Sequence, residues 1–168
     1  ALAFFLLSPP VLHGLLNGNL DWMVALGAVL PPWIGIFLVA VKPQIGFGVV
    51  IYWLVEAWRA GSWRAVARLA APIGAAYLLS FALFGLWPAT FASIAESSAG
   101  WNASLWPYSI PVGLGLLVYA RRRRQPRAAL AASPCLSPYV LFHSWAIAVL
   151  AIVNSEPETI AVVIGLWI

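Results

Sequence analysis

Charge is scarce in this chain. Only 8% of its 168 residues are charged, against about 25% in an ordinary water-soluble domain. Hydrophobic residues make up 63%, more than a fold of this size hides from water. Cysteine is nearly absent as well. Cys135 stands alone, which excludes an internal disulfide framework and a cysteine-rich metal site. Its setting, Ser133-Pro134-Cys135-Leu136, suits an inert packed thiol. The sequence has no Walker-type loop, no Gly-x-Ser-x-Gly elbow and no His-Glu-x-x-His motif. Its few acidic residues form no group suited to a divalent ion, so neither a metal nor a cofactor is expected.

Tryptophan is abundant, at ten residues, and its amphipathic ring settles where hydrocarbon meets headgroup. Eight of the nine basic residues are Arg, in two clusters: Arg59, Arg64 and Arg68, then Arg121 to Arg124 with Arg127. Flanked by long apolar stretches, these read as positive-inside topology signals rather than as a nucleic-acid site. Both clusters are then cytoplasmic, and Leu69–Trp87 and Leu105–Ala120 are two crossings between them. Pro88–Ser104 becomes an external loop bearing Glu96, Trp101, Asn102 and Trp106-Pro107-Tyr108. Within it, Asn102-Ala103-Ser104 is a formal glycosylation sequon. Ala128–Val153 crosses once more and emerges at the acidic Asn154-Ser155-Glu156-Pro157-Glu158. The expected fold is all-α, a polytopic transmembrane bundle with short, Pro-broken helices. Residues 1–168 form one transmembrane domain in a multi-pass protein of a bacterial plasma membrane. The chain starts at Ala1 inside one apolar run and stops at Ile168 inside another, which reads as a piece of a larger membrane protein.

The first third carries the unusual features. Leu20–Leu30 spans about 16 Å as a helix, too little to cross a bilayer. Pro31-Pro32 interrupts it, and Lys42-Pro43 interrupts the apolar stretch Trp33–Ala57. Broken helices at membrane depth line a polar cavity or are covered by protein. In Gly14-Leu15-Leu16-Asn17-Gly18-Asn19-Leu20-Asp21-Trp22, Asn17 and Asn19 suit helix caps and Asp21 suits the dipole of the following helix. Lys42-Pro43-Gln44 sets an ammonium beside an amide, a pairing suited to a phosphate group. An ionised Lys inside an apolar segment needs a partner or a route to the interface. In Ser137-Pro138-Tyr139-Val140-Leu141-Phe142-His143 the prolines free backbone carbonyls, and His143 is placed to face a polar cavity or to pair within the bundle.

Taken in order, these motifs resemble those of the GT-C glycosyltransferases, with family 87, the polyprenyl-phosphate-mannose-dependent mannosyltransferase-like proteins, the nearest in pattern. Gly18-Asn19-Leu20-Asp21 is similar to that family's Gly-Gln-x-Asn turn, with Asn19 and Asp21 in place of Gln and Asn. Lys42-Pro43-Gln44 looks like its Lys-Pro-Gln, and Ser137-Pro138-Tyr139 with His143 like a later Ser-Pro, aromatic and His group. The resemblance implies hexosyl or mannosyl transfer from a polyprenyl-phosphate donor to an external acceptor, with the lipid bilayer and that donor as partners. Lys42 and Gln44 would hold the donor phosphate, and Asn19, Asp21, Tyr139 and His143 would line the cavity. The family's catalytic acid lies in a first external loop upstream of this sequence, so the catalytic residue is left unassigned. A transporter or flippase, or a non-catalytic integral membrane protein, is the alternative that the broken helices and the intramembrane Lys also allow.

Overall fold

A computed structural model describes residues 2–90, 93, 99–152 and 155–168. The fold is all-α. Helices α1 (Leu2–Leu6), α2 (Pro9–Leu16), α3 (Asp21–Val29) and α4 (Pro32–Ala40) are short and lead into the long α5 (Pro43–Phe84). Beyond it lie α6 (Ile110–Arg123), α7 (Pro126–Leu136), α8 (Ala146–Ile152) and α9 (Glu156–Trp167), with a 3-10 turn over Phe142–Trp145 just before α8. The core runs through Val24, Ile36, Val39, Ile45, Val49, Trp53, Leu69, Leu130 and Ile147, and so draws on α3, α4, α5, α7 and α8.

Proline punctuates the chain as expected. Six helices, α2, α4, α5, α6, α7 and α9, carry Pro in the first turn, where the missing amide costs nothing. The run of Arg121, Arg122 and Arg123 forms the last turn of α6, and Arg124 closes it in the left-handed conformation at φ 55°. Cations at that end offset the unpaired carbonyls of the helix. The acidic stretch expected to leave the membrane opens α9 instead. Ser155 accepts from the Glu158 amide, and Glu156 and Glu158 occupy the first turn, a capping arrangement.

Small residues set the distances between helices. A Cβ on Gly35 would lie 2.2 Å from the Gly27 carbonyl oxygen, so α3 and α4 meet backbone to backbone. A Cβ on Gly48 would lie 2.2 Å from the Ala129 carbonyl oxygen, and the Gly48 amide donates to Ser133 Oγ at 2.9 Å. That pair of contacts joins α5 to α7.

Helix α5 is not a single rod. Gly61 (φ −150°, ψ 20°) and Ser62 (φ 58°, ψ −159°) leave helical geometry and divide it into arms over 43–60 and 63–84. The second arm folds back beside the first. Val66 shares one recess with Leu54, Val55 and Trp58, Leu69 joins the same core as Val49 and Trp53, and Tyr77 Oη donates to the Ala40 carbonyl at 3.0 Å.

The polytopic transmembrane bundle is not what the chain forms. Among the described residues only α5 is long and apolar enough to cross a membrane. The other predicted crossings are cut short by their own turns. Leu105–Ala120 yields a helix only from Ile110, and Ala128–Val153 leaves helix after Leu136 at the extended Ser137, resuming only in a 3-10 turn and the short α8. Trp33–Ala57 is divided at Val41-Lys42, where Lys42 leaves helical geometry at φ −139° and ψ 74°. The multi-pass location, with both Arg clusters on a cytoplasmic face, falls with those crossings. Glu96 lies outside the described residues.

Candidate functional site

Turns rather than helices deliver the polar groups. Gly18, at φ 60°, supplies the left-handed residue that ends α2 and turns the chain toward α3. Asn17 stays with α2, donating through Nδ2 to the His13 carbonyl at 2.7 Å. Neither Asn17 nor Asn19 caps α3, whose N-cap position is Leu20 without a side-chain bond. Asp21 opens α3, where the exposed amides favour a carboxylate, and its side chain is buried. The Pro43 break between α4 and α5 swings Lys42 off the helix axis toward the same point.

The result is a compact polar cluster. Lys42 Nζ is ion-paired with Asp21 Oδ1 and donates to Asn19 Oδ1 at 2.9 Å and to Ser144 Oγ at 3.3 Å. His143 Nε2 also lies 3.3 Å from Nζ and 3.7 Å from Asp21 Oδ2. The imidazole of His13 stacks on that of His143 with ring centres 5.5 Å apart. Four side chains, two from residues 19–21 and two from residues 143–144, thus meet around the Lys42 ammonium group.

Burial pushes the His143 pKa below its usual 6.5. Asp21 pulls it back upward, and Lys42 and His13 add to the lowering. The ring is therefore neutral near pH 7. With Nε2 facing an ammonium that only donates, the imidazole proton belongs on Nδ1. Among the described residues that Nδ1 has no hydrogen-bond partner, and neither does Asp21 Oδ2. The third such atom is Ser8 Oγ, at the N-cap of α2. Buried polar atoms left unpaired cost about 1–3 kcal/mol each and are uncommon, so two on contacting residues distinguish this cluster from ordinary packing.

Beside the cluster lies a cavity of about 190 Å³. Asn19, Asp21 and His143 lie on one side, and Phe5, Val11, Leu15, Trp22, Ile147 and Leu150 provide apolar wall. Its size exceeds the ~150 Å³ of a dry apolar cavity that admits benzene.

Of the residues singled out from sequence, Asn19, Asp21, Lys42 and His143 come together. Gln44 is half-buried and makes no hydrogen bond to them among the described residues. Tyr139 sits outside the cavity wall, and its backbone is held by the Ser137 hydroxyl, which donates to the Tyr139 carbonyl at 2.8 Å. Ser144 and His13 were not legible as site residues. His13 gave one weak signal, as the only other histidine in the chain.

The sequon has a structural role. Asn102 Oδ1 accepts from the Val140 and Ser104 amides at 3.0 Å, and Nδ2 donates to the Pro138 carbonyl at 3.0 Å. Ser104 Oγ donates to the Ser137 carbonyl at 2.6 Å, and Trp145 Nε1 donates to the Ala103 carbonyl at 2.9 Å. These bonds pin the segment that presents His143 and Ser144.

Comparison with known protein families, curated proteins and solved structures finds no match to this chain. Without a family match, and with α5 alone long and apolar enough to cross a membrane among the described residues, the expected membrane glycosyltransferase does not stand. The transporter alternative, which needed the same crossings, goes with it.

Proposed function

We propose that the cavity beside Asp21, Lys42 and His143 binds a small, uncharged amphiphile: a hydrocarbon body in the apolar pocket and one hydroxyl or amide group at the polar cluster. The observation that carries this reading is the pair of unpartnered buried atoms, Asp21 Oδ2 and His143 Nδ1, on residues that line an otherwise apolar cavity. An alcohol donates and accepts through one oxygen, so it suits a site whose residues hold both an unpaired acceptor and an unpaired donor.

Charge argues for a neutral ligand. Lys42 is paired with Asp21, so the cluster offers no bare cation, and a phosphate at Lys42 would have to displace that carboxylate. Breaking a buried ion pair by removing one partner costs about 3–5 kcal/mol, a debt that a neutral head group does not incur.

The test is a titration of the purified chain with 1-octanol, octane and octyl phosphate, followed through the imidazole ¹⁵N resonances of His143 and His13. Octanol is expected to shift the His143 signals saturably. Octane should bind at least about tenfold more weakly for want of one hydrogen bond to a charged or buried partner. Asp21→Asn should remove most of the preference for octanol. A linear, unsaturable drift with octanol rejects the site, and tighter binding of octyl phosphate rejects the neutral-ligand reading.

A further inference from the structure

The second arm of α5 carries its surface the wrong way round for water. Its inner stripe, Val66, Leu69, Ile73, Tyr77 and Phe81, repeats every three or four residues and is buried or half-buried. The two hydroxyls on the arm are already used: Tyr77 Oη bonds the Ala40 carbonyl, and Ser80 Oγ accepts from Trp87 Nε1 at 3.0 Å. What faces outward is hydrocarbon. Leu78, Leu79, Leu83, Phe84 and Leu86 are 61–75% exposed, and no charged residue occurs between Arg68 and Trp87. The most apolar stretch of α5 is only 6% buried, so it is not a core helix wrapped by the rest of the chain.

Length and ends name the partner. Residues 63–84 make a helix of about 33 Å, close to the ~30 Å hydrocarbon thickness of a bilayer. Trp63 stands at one end with Arg64 over its ring at 5.8 Å, and Arg59 and Arg68 are close by in sequence. Trp87 stands at the other end. Aromatic rings at both ends and arginines at one end match the two headgroup layers, the basic end favouring anionic lipid. Arg121 adds to the same end, sharing a recess with Val55 one turn before Arg59.

We infer that the arm over residues 63–84 lies in a lipid bilayer as one anchoring segment, its outer face against acyl chains and its arginine end among anionic headgroups. The full chain is mixed with vesicles of phosphatidylcholine, with or without phosphatidylglycerol, then floated and washed at alkaline pH. The chain is expected to float, to resist the wash, and to partition more strongly with phosphatidylglycerol. Leu79→Lys with Leu83→Lys places two charges on the outer face alone and should cut the floated fraction at least about a hundredfold, with the circular dichroism of the detergent-solubilised protein unchanged. Arg64→Ala with Arg68→Ala should lose the phosphatidylglycerol preference yet still resist the wash. The inference is overturned if the chain stays in the aqueous phase as a monomer or as a dimer sealed through this face. It is equally overturned if the double-lysine variant floats as the parent does.

Discussion

His143 is the residue at which protonation and packing meet most directly. Burial holds its pKa below 6.5 in the folded chain, whereas the unfolded chain takes up a proton at about 6.5. Below that pH the unfolded state binds more protons, so stability falls as pH falls, until the folded-state pKa is passed. The midpoint of urea unfolding in detergent is expected to drop between about pH 7.5 and about pH 5, and His143→Gln should flatten that slope. Parallel profiles for the two proteins would mean that the ring takes up its proton at the same pH whether folded or unfolded. At this scale the sequence was partly readable. Lys42 stood out because an ammonium in an apolar stretch demands a partner, and Asp21 and Asn19 were conspicuous as polar residues in a turn. What residue types do not carry is pairing over long separation. Asp21 answers Lys42 across 21 positions, and Ser144 across 102.

Among the elements, the close approach of α5 and α7 depends on one missing side chain. Gly48→Ala would press a methyl group against the Ala129 carbonyl and the Ser133 hydroxyl, with an expected loss of about 1–3 kcal/mol in chemical unfolding. Gly74→Ala on the second arm of α5 meets nothing within 4 Å and should stabilise by about 0.5–1 kcal/mol, because Ala costs less backbone freedom in a helix. Equal effects at the two positions would place the α5–α7 contact elsewhere. Helix content was legible here through apolar runs and the prolines that interrupt them. The division at Gly61-Ser62 was not, since Gly-Ser inside a helical pattern does not reveal whether the chain bends slightly or reverses. Nor did the apolar run Ala128–Val153 disclose its break. Pro134 stays within α7, and the chain leaves helix only at Ser137.

The whole molecule is held together by bonds that no local pattern announces. Asn102 fastens the segment 138–140 to a stretch some 36 residues earlier, and that segment leads directly into His143 and Ser144. Asn102→Ala removes three hydrogen bonds, one accepted by the Pro138 carbonyl and two from backbone amides. The expected loss is about 2–4 kcal/mol of unfolding free energy, with the His143 imidazole resonances broadened or moved although Asn102 does not touch the ring. Unaltered His143 signals in a destabilised variant would show that the segment keeps its path without the amide. Composition spoke correctly of an all-helical chain rich in exposed hydrocarbon. It misjudged how that hydrocarbon is arranged, because counting apolar stretches assigns each one a separate crossing, whereas turns divide most of them and α5 doubles over on itself.

That doubling has a practical side. The start of α5 and the far end of its second arm come back to one place, with Tyr77 bonded beside the end of α4. A flexible spacer grafted between Gly61 and Ser62 would therefore enlarge a turn at the tip without driving apart anything the tip connects, and dyes placed near residues 41 and 80 would keep their separation however long that graft became.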